Sequence, residues 1–187
     1  MRPNPVKRKL GEGGVSVGTF VLEFATTGVA RIAAEAGVEF VVFDMEHTGW
    51  SMETVRMLLA TARPTDVVPV VRVPATEYHF IARALDMGAM GVMVPMVETA
   101  EQARRIVAAA KYPPEGRRGA AFSVAHDDYA GGEMAAKIRE ANREVLLIAQ
   151  VETTRGVEVV EEIAAVEGID VLWIGQADLT TSLEIPG

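Results

Sequence analysis

The chain has 187 residues, 49% of them apolar and 6% aromatic, which supplies one sizeable core and is too short for two comfortable domains. A formal net charge of -8, from 26 acidic against 18 basic side chains, argues against an electrostatic grip on nucleic acid or on an anionic membrane, since both need a basic surface. The absence of cysteine excludes disulfides, thiolate metal sites and thiol nucleophiles, and the expected setting is a reducing cytoplasm with small molecules as partners.

In chain order, the basic opening from Met1 to Lys9 is followed by glycines and Glu12 where a signal peptide would place its apolar stretch, so no export is expected. Short runs rich in Val, Ile and Phe then alternate with stretches of helical spacing, the pattern of repeated β-α units on a parallel sheet. Strands are predicted at residues 15–21, 39–44, 67–73, 91–94, 145–151 and 170–174. Helices are predicted at 27–36, 51–62, 77–87, 100–110, 133–142 and 156–167, several opening on Ser, Thr or an acidic residue that suits a helix start. Residues 111–132 break the rhythm. There Pro113-Pro114, Gly116 and Arg117-Arg118-Gly119 precede a polar stretch from Ser123 to Tyr129, which reads as an ordered loop or lid. Apolar runs such as 88–97 are broken by Pro and Gly and fall short of the ~20 residues that span a bilayer. The reading is a single α/β domain over 1–187. Six β-α units in series fit an open doubly wound sheet or most of an eight-fold barrel, which takes ~250 residues.

In parallel α/β folds, reactive side chains gather where strands end. Strand two ends in Asp44-Met45-Glu46-His47, strand three in Arg72-Val73-Pro74, strand five in Gln150-Val151-Glu152, and strand six runs into Gly175-Gln176-Ala177-Asp178. Glu152 and Asp178 are the carboxylates from the last two strands, and oxygen ligands without Cys or a His pair suit Mg²⁺ or Mn²⁺ rather than Zn²⁺. The competing structural reading makes both of them helix caps. His47, after an acidic pair, is a candidate general base. His79 reads as solvated and His126 as a lid residue. Arg72 closes a very apolar strand, so its guanidinium must meet either an anionic ligand or an internal partner in Asp44 or Glu46. Gln150 is a pocket or barrel-interior polar residue, and Asp86, near the end of a helix, reads on its own as solvated or capping. None of the four lysines, Lys7, Lys9, Lys111 and Lys137, stands at a strand end where an imine to a keto acid would form, so a metal must stabilise any enolate instead.

Together these residues resemble the HpcH/HpaI aldolase family. The resemblance rests on Phe43-Asp44-Met45-Glu46-His47, Arg72-Val73-Pro74, Ala82 to Ala89 with Gly91-Val92-Met93-Val94-Pro95, and Tyr112 to Gly119. It continues through Ile148 to Thr153 and Gly168 to Gly175, leading to Ala177-Asp178-Leu179, and so covers nearly the whole chain from about Val15. It implies a TIM (β/α)8 barrel with class II pyruvate-aldolase chemistry and no organic cofactor. A divalent metal (Mg²⁺, Mn²⁺ or Co²⁺) would be held by Glu152 and Asp178, and the substrates would be a 2-keto acid and an aldehyde. By the same resemblance Arg72 contacts the keto or enolate oxygen, His47 and Asp86 form the proton-moving dyad, and Gln150 lines the metal site. The amides around Gly175 and Ala177 receive the substrate carboxylate, in keeping with their Gly-rich, strand-to-helix setting. Two departures, Gln176 for Pro and Thr48 for Gly or Ala, touch the pocket rim and bear on substrate choice. The sequence ends at Gly187 after about six β-α units, so the barrel is expected to be incomplete at its carboxyl end, and a homo-oligomer (hexamer or trimer) is expected of the full-length protein. The alternatives are an acyl-CoA lyase of the citrate-lyase β or malyl-CoA type and a non-catalytic truncated barrel subunit.

Overall fold

Strand order decides between the two architectures left open by the count of units. β1 (Gly18–Val21), β2 (Phe40–Asp44), β3 (Val68–Arg72), β4 (Gly91–Val94), β5 (Leu146–Val151) and β6 (Val171–Ile174) form one parallel sheet in the order β1-β2-β3-β4-β5-β6. A doubly wound sheet reverses direction at a switch point, whereas a barrel advances by one strand per unit. The sheet also curls, since the rings of Phe20 on β1 and Trp173 on β6, its first and last strands, meet edge to face at 5.9 Å. It is a partial TIM-type barrel. The structure, a computed structural model, describes residues 2–186, and no helix among them is long and apolar enough to cross a membrane.

Successive side chains on a strand point to opposite faces, so each strand divides its residues between the barrel interior and the surrounding helices. Phe40 and Val42, Val68 and Val70, Met93, and Leu146 and Ile148 form one buried cluster inside the barrel. The alternate residues Val41 and Phe43, Val71, Val92 and Val94, and Leu147 and Ala149 pack outward, against Val55, Leu58, Ile81, Leu85, Ile106 and Ile163. Continuing the same period of two places Asp44, Arg72, Gln150 and Glu152 on the interior face, one layer beyond that cluster.

The helices are α1 (Pro5–Gly11), α2 (Val29–Glu35), α3 (Met52–Ala62), α4 (Tyr78–Asp86), α5 (Ala100–Ala110), α6 (Met134–Glu144), α7 (Thr154–Glu158), α8 (Val160–Ala164) and α9 (Gln176–Ser182). The caps expected from sequence form: the Ser51 side chain accepts from the Thr54 N–H and that of Thr99 from the Gln102 N–H. The single helix predicted at 156–167 is instead two short ones meeting at Val159, whose φ of -117° and ψ of 21° interrupt the helix within the Val157-Glu158-Val159-Val160 stretch. Branched side chains there disfavour helix by restricting χ1. Sequence reading missed α1, which buries Val6 against the interior cluster and so closes the floor of the barrel. Its signal was present: Asn4 caps it, with Pro5 in its first turn.

Residues 111–132 form an ordered connection, as expected, with one 3-10 turn at Ala125–Asp127. Tyr112 is fully buried, its backbone N–H and C=O both bonded to the Asn142 side chain at 2.8 and 3.0 Å, and the Arg118 guanidinium lies 4.7 Å above its ring.

Candidate active site

The polar layer starts from a register. Asp44 and Arg72 are direct partners across β2 and β3, and the carboxylate takes the guanidinium as a fork, Nε to Oδ1 at 2.8 Å and Nη2 to Oδ2 at 2.6 Å. Arg72 Nη1 faces Glu46 Oε2 at 3.2 Å, and the ring of Phe20 lies 5.0 Å from the guanidinium carbon. Burial pushes the Asp44 carboxyl up, but the bonds from Arg72 and from the Glu46 N–H outweigh it and hold the carboxyl below its ordinary range. Glu46 moves the other way. Burial raises it first; Arg72 and His47 oppose that, while the nearby charges of Glu152 and Asp44 add to it. The internal ion pair weighed for Arg72 is thus real. It holds the guanidinium in one orientation, with Nη1 turned toward Glu46.

Glu152 is 1% exposed, just past the end of β5. Its Oε1 accepts the Met96 N–H at 2.8 Å and its Oε2 accepts from the Gln150 side-chain amide. Met96 is one of few non-glycine residues in the left-handed region, with φ 54°, and its N–H goes to this carboxylate; strain of this kind collects at functional sites. The Gln150 side-chain oxygen Oε1, buried beside it, has no hydrogen-bond partner among the described residues. An orphaned hard oxygen next to a buried carboxylate suits a Mg²⁺- or Mn²⁺-type cation, which is held by one or two carboxylates and keeps several waters. Asp178 lies exposed in the first turn of α9, beyond β6. Among the described residues no cluster of three acidic, His or Cys side chains is assembled, and Glu152, Gln150 and Asp178 are the residues that could offer oxygen donors to a cation.

Gly175 is needed for a reason the sequence did not show. Its own N–H donates to the Val151 carbonyl at 3.3 Å, and the amides that follow, of Gln176 and Ala177, stand in the first turn of α9, where N–H groups have no partner within the helix. What Gly175 supplies is room, because a Cβ there would fall on the Glu152 carboxylate and 2.8 Å from the Gln150 amide nitrogen. Gly175→Ala is therefore expected to displace Glu152 and lower divalent-metal affinity at least ~10-fold, the size of effect seen when the support of a metal ligand is lost. Titration calorimetry with Mn²⁺ reads this directly, and unchanged affinity would refute the steric argument.

His47 follows β2 on an exposed turn, its Nε2 3.6 Å from Glu46 Oε2. Asp86 is elsewhere. As the last residue of α4 it lies near the amino end of β4, five residues before that strand begins at Gly91, while His47 follows the carboxyl end of β2. Among the described residues no hydrogen bond or ion pair joins the two, and Asp86 instead accepts from Arg118 at 2.5 and 3.2 Å. Its side chain lines a groove of about 520 Å³ with Met52, Arg56, Arg83 and Tyr129.

A family model for HpcH/HpaI aldolase/citrate lyase matches residues 17–187. The chain belongs to this family. It is 42% identical over 183 residues to the 4-hydroxy-2-oxovalerate aldolase of Novosphingobium aromaticivorans, covering 96% of this chain and 67% of that protein. Against the hydroxypyruvate/pyruvate aldolase of Roseobacter denitrificans the identity is 37%, over 96% of this chain and 70% of that one. The crystal structure of an HpcH/HpaI aldolase from Desulfitobacterium hafniense superposes with a TM-score of 0.93 at 36% identity, covering 97% of this chain and 70% of that chain.

The remaining candidates of this HpcH/HpaI chain fall outside the polar layer. All four lysines are engaged away from it: Lys7 with Asp170, Lys9 with Glu39, Lys111 with Glu115 and Lys137 with Asp127. His79 is exposed beside the Phe80 ring. His126 is 7% exposed, its Nε2 set 2.6 Å from the Ala121 carbonyl; burial first, and then the Arg118 charge, lower its pKa and keep it neutral, so it packs the lid from within.

Proposed function

We propose that this chain cleaves 4-hydroxy-2-keto acids reversibly to pyruvate or hydroxypyruvate and an aldehyde, with a divalent cation at Glu152 and Asp178. The observation that carries the reading is the interior layer in which a buried carboxylate, an orphaned amide oxygen and an Arg72 held in one orientation meet at the carboxyl ends of the strands. The aldolase names of relatives 37–42% identical support it. Solved citrate lyase β subunits are only 21–22% identical, a likeness of fold, so the acyl-CoA alternative is set behind.

A divalent cation bound there would supply Lewis-acid polarisation of the keto oxygen and stabilise the negative charge of the enolate. Arg72 is placed to share that charge without moving, because Asp44 already fixes its fork; such preorganisation is what makes a fixed donor effective. The free amides at Gln176 and Ala177 receive the substrate carboxylate, and Gln150 orients Glu152. His47, exposed at the rim and beside Glu46, takes the 4-hydroxyl proton through water during cleavage and returns it during synthesis.

The test is pyruvate release from 4-hydroxy-2-keto acids, with and without EDTA and added Mg²⁺ or Mn²⁺. Release that stops with EDTA and returns with metal supports the proposal, whereas EDTA-insensitive release would overturn the metal-dependent reading. His47→Asn is expected to lower kcat by ~10²–10⁴-fold, the range for loss of a general base, while Mn²⁺ affinity stays unchanged.

A further inference from the structure

A second site lies away from the barrel mouth, in a crevice between the N-terminal arm, α3 and the segment carrying the 3-10 turn. Its larger cavity, about 230 Å³, is lined by Arg2, Arg56 and Arg63 with Leu59, Met87 and Tyr129 among its other walls, and among the described residues no acidic side chain lines it. A smaller cavity of about 30 Å³ adjoins it, sharing Arg2, Arg63 and Gly88 and adding Arg118, His126 and Glu144. In a protein of net charge -8, three guanidinium groups around one cavity are a local reversal of sign.

Arg2 is fixed without a contacting carboxylate, burial lowering its pKa and the more distant charge of Asp66 opposing that. Its Nη1 and Nη2 donate to the carbonyls of Arg63 and Thr65 at 3.2 and 2.8 Å, and among the described residues no carboxylate lies within 4.0 Å of it or of Arg56. A carbonyl accepts a hydrogen bond without cancelling a charge. Arg63 has one partner, the half-exposed Asp128; burial, and then the charge of Arg2, pull its pKa down, as expected of two cations held together. The second observation is His126: more than nine-tenths buried, it lines the smaller cavity, and its Nδ1 has no hydrogen-bond partner. Because Nε2 gives its hydrogen to the Ala121 carbonyl, Nδ1 is an acceptor, and it suits a ligand hydroxyl such as that of a monoprotonated phosphate or of the alcohol part of a phosphate monoester.

We propose that this crevice binds a phosphate dianion, free or as the monoester of a small metabolite, and that the bound anion fastens the 3-10 segment to α3. Guanidinium forks match phosphate oxygens, and Leu59, Met87 and Tyr129 offer an apolar wall for a short organic part. Ala125 and Tyr129 line the same cavity as Arg2 and Arg56, so an anion held there joins the two elements. The proposal is independent of the aldolase reading, since binding is measured without turnover.

The experiment is titration calorimetry of the whole chain with inorganic phosphate and with glycerol phosphate, at constant ionic strength. Saturable binding is expected, weakened at least ~10-fold in Arg2→Gln and, separately, in Arg56→Gln, and unchanged in Arg31→Gln, an exposed arginine on α2. Amide exchange across residues 123–130 should slow when phosphate is added. Tighter binding of glycerol phosphate assigns the apolar wall to a metabolite, and equal binding assigns the site to phosphate itself. Absence of saturable binding in the folded wild-type chain, or equal weakening in all three variants, overturns the proposal.

Discussion

Replacing Glu152 with alanine is expected to lower metal-dependent aldol turnover by ~10³-fold or more. Of the two candidate carboxylate ligands, Glu152 is the one buried in the interior layer, fixed from two sides by the Met96 N–H and the Gln150 amide. Losing the proposed cation would remove several kcal/mol of charge stabilisation from enolate formation, and each ~1.4 kcal/mol is tenfold in rate. The measurement is steady-state pyruvate release across a Mn²⁺ series, with calorimetric Mn²⁺ affinity on the same variant. A Glu152→Ala protein that releases pyruvate at the wild-type rate would sink the assignment. Structural damage is separable, because Gln150 and the Met96 N–H can be solvated through the space left behind and the global melting temperature should change little.

Asp44→Asn has the largest expected effect on stability. It removes the charge that compensates Arg72, which is 7% exposed, and leaves Glu46, at 3.2 Å and with its own pKa raised, as the one remaining carboxylate contact. Breaking a buried pair from one side costs ~3–5 kcal/mol because it strands the other charge. Chemical denaturation at neutral pH measures it, and a loss below ~1 kcal/mol would show that Glu46 substitutes for Asp44. The pH dependence has a definite sign. The folded pKa of Asp44 lies below its ordinary value of 3.8, so its contribution is complete above that value and disappears as pH falls through the folded pKa. The gap between wild type and Asp44→Asn should therefore close in acid.

Much of the fold was legible because burial imposes period. Strands two to five run within two residues of their predicted bounds, since apolar runs such as Val67 to Val71 are fully buried on both faces and allow little else. Among the missed or altered elements, α1 carried a local cap signal while the docking of its Val6 on the barrel floor depends on distant strands, and the helical stretch after β5 parts at Val159 among branched side chains.

For the candidate site, sequence alone determined residue types and strand ends. It placed Arg72, Gln150 and Glu152 together because strand parity and strand order are local properties, and it disfavoured an imine because none of the four lysines stands at a strand end. Only the tertiary structure could decide between pairings that local sequence leaves equal. It tied Arg72 to Asp44, turned the Met96 N–H toward Glu152, and gave Gly175 the task of leaving space for that carboxylate while its own N–H donates to the Val151 carbonyl. It also set Asp86 against Arg118 instead of His47. Each of these depends on where segments far apart in the chain come within a few ångströms of each other. A hydrogen bond or a clash over such a distance is fixed by the packing of the whole sheet and its helices, and it leaves no periodic trace in the segments it joins.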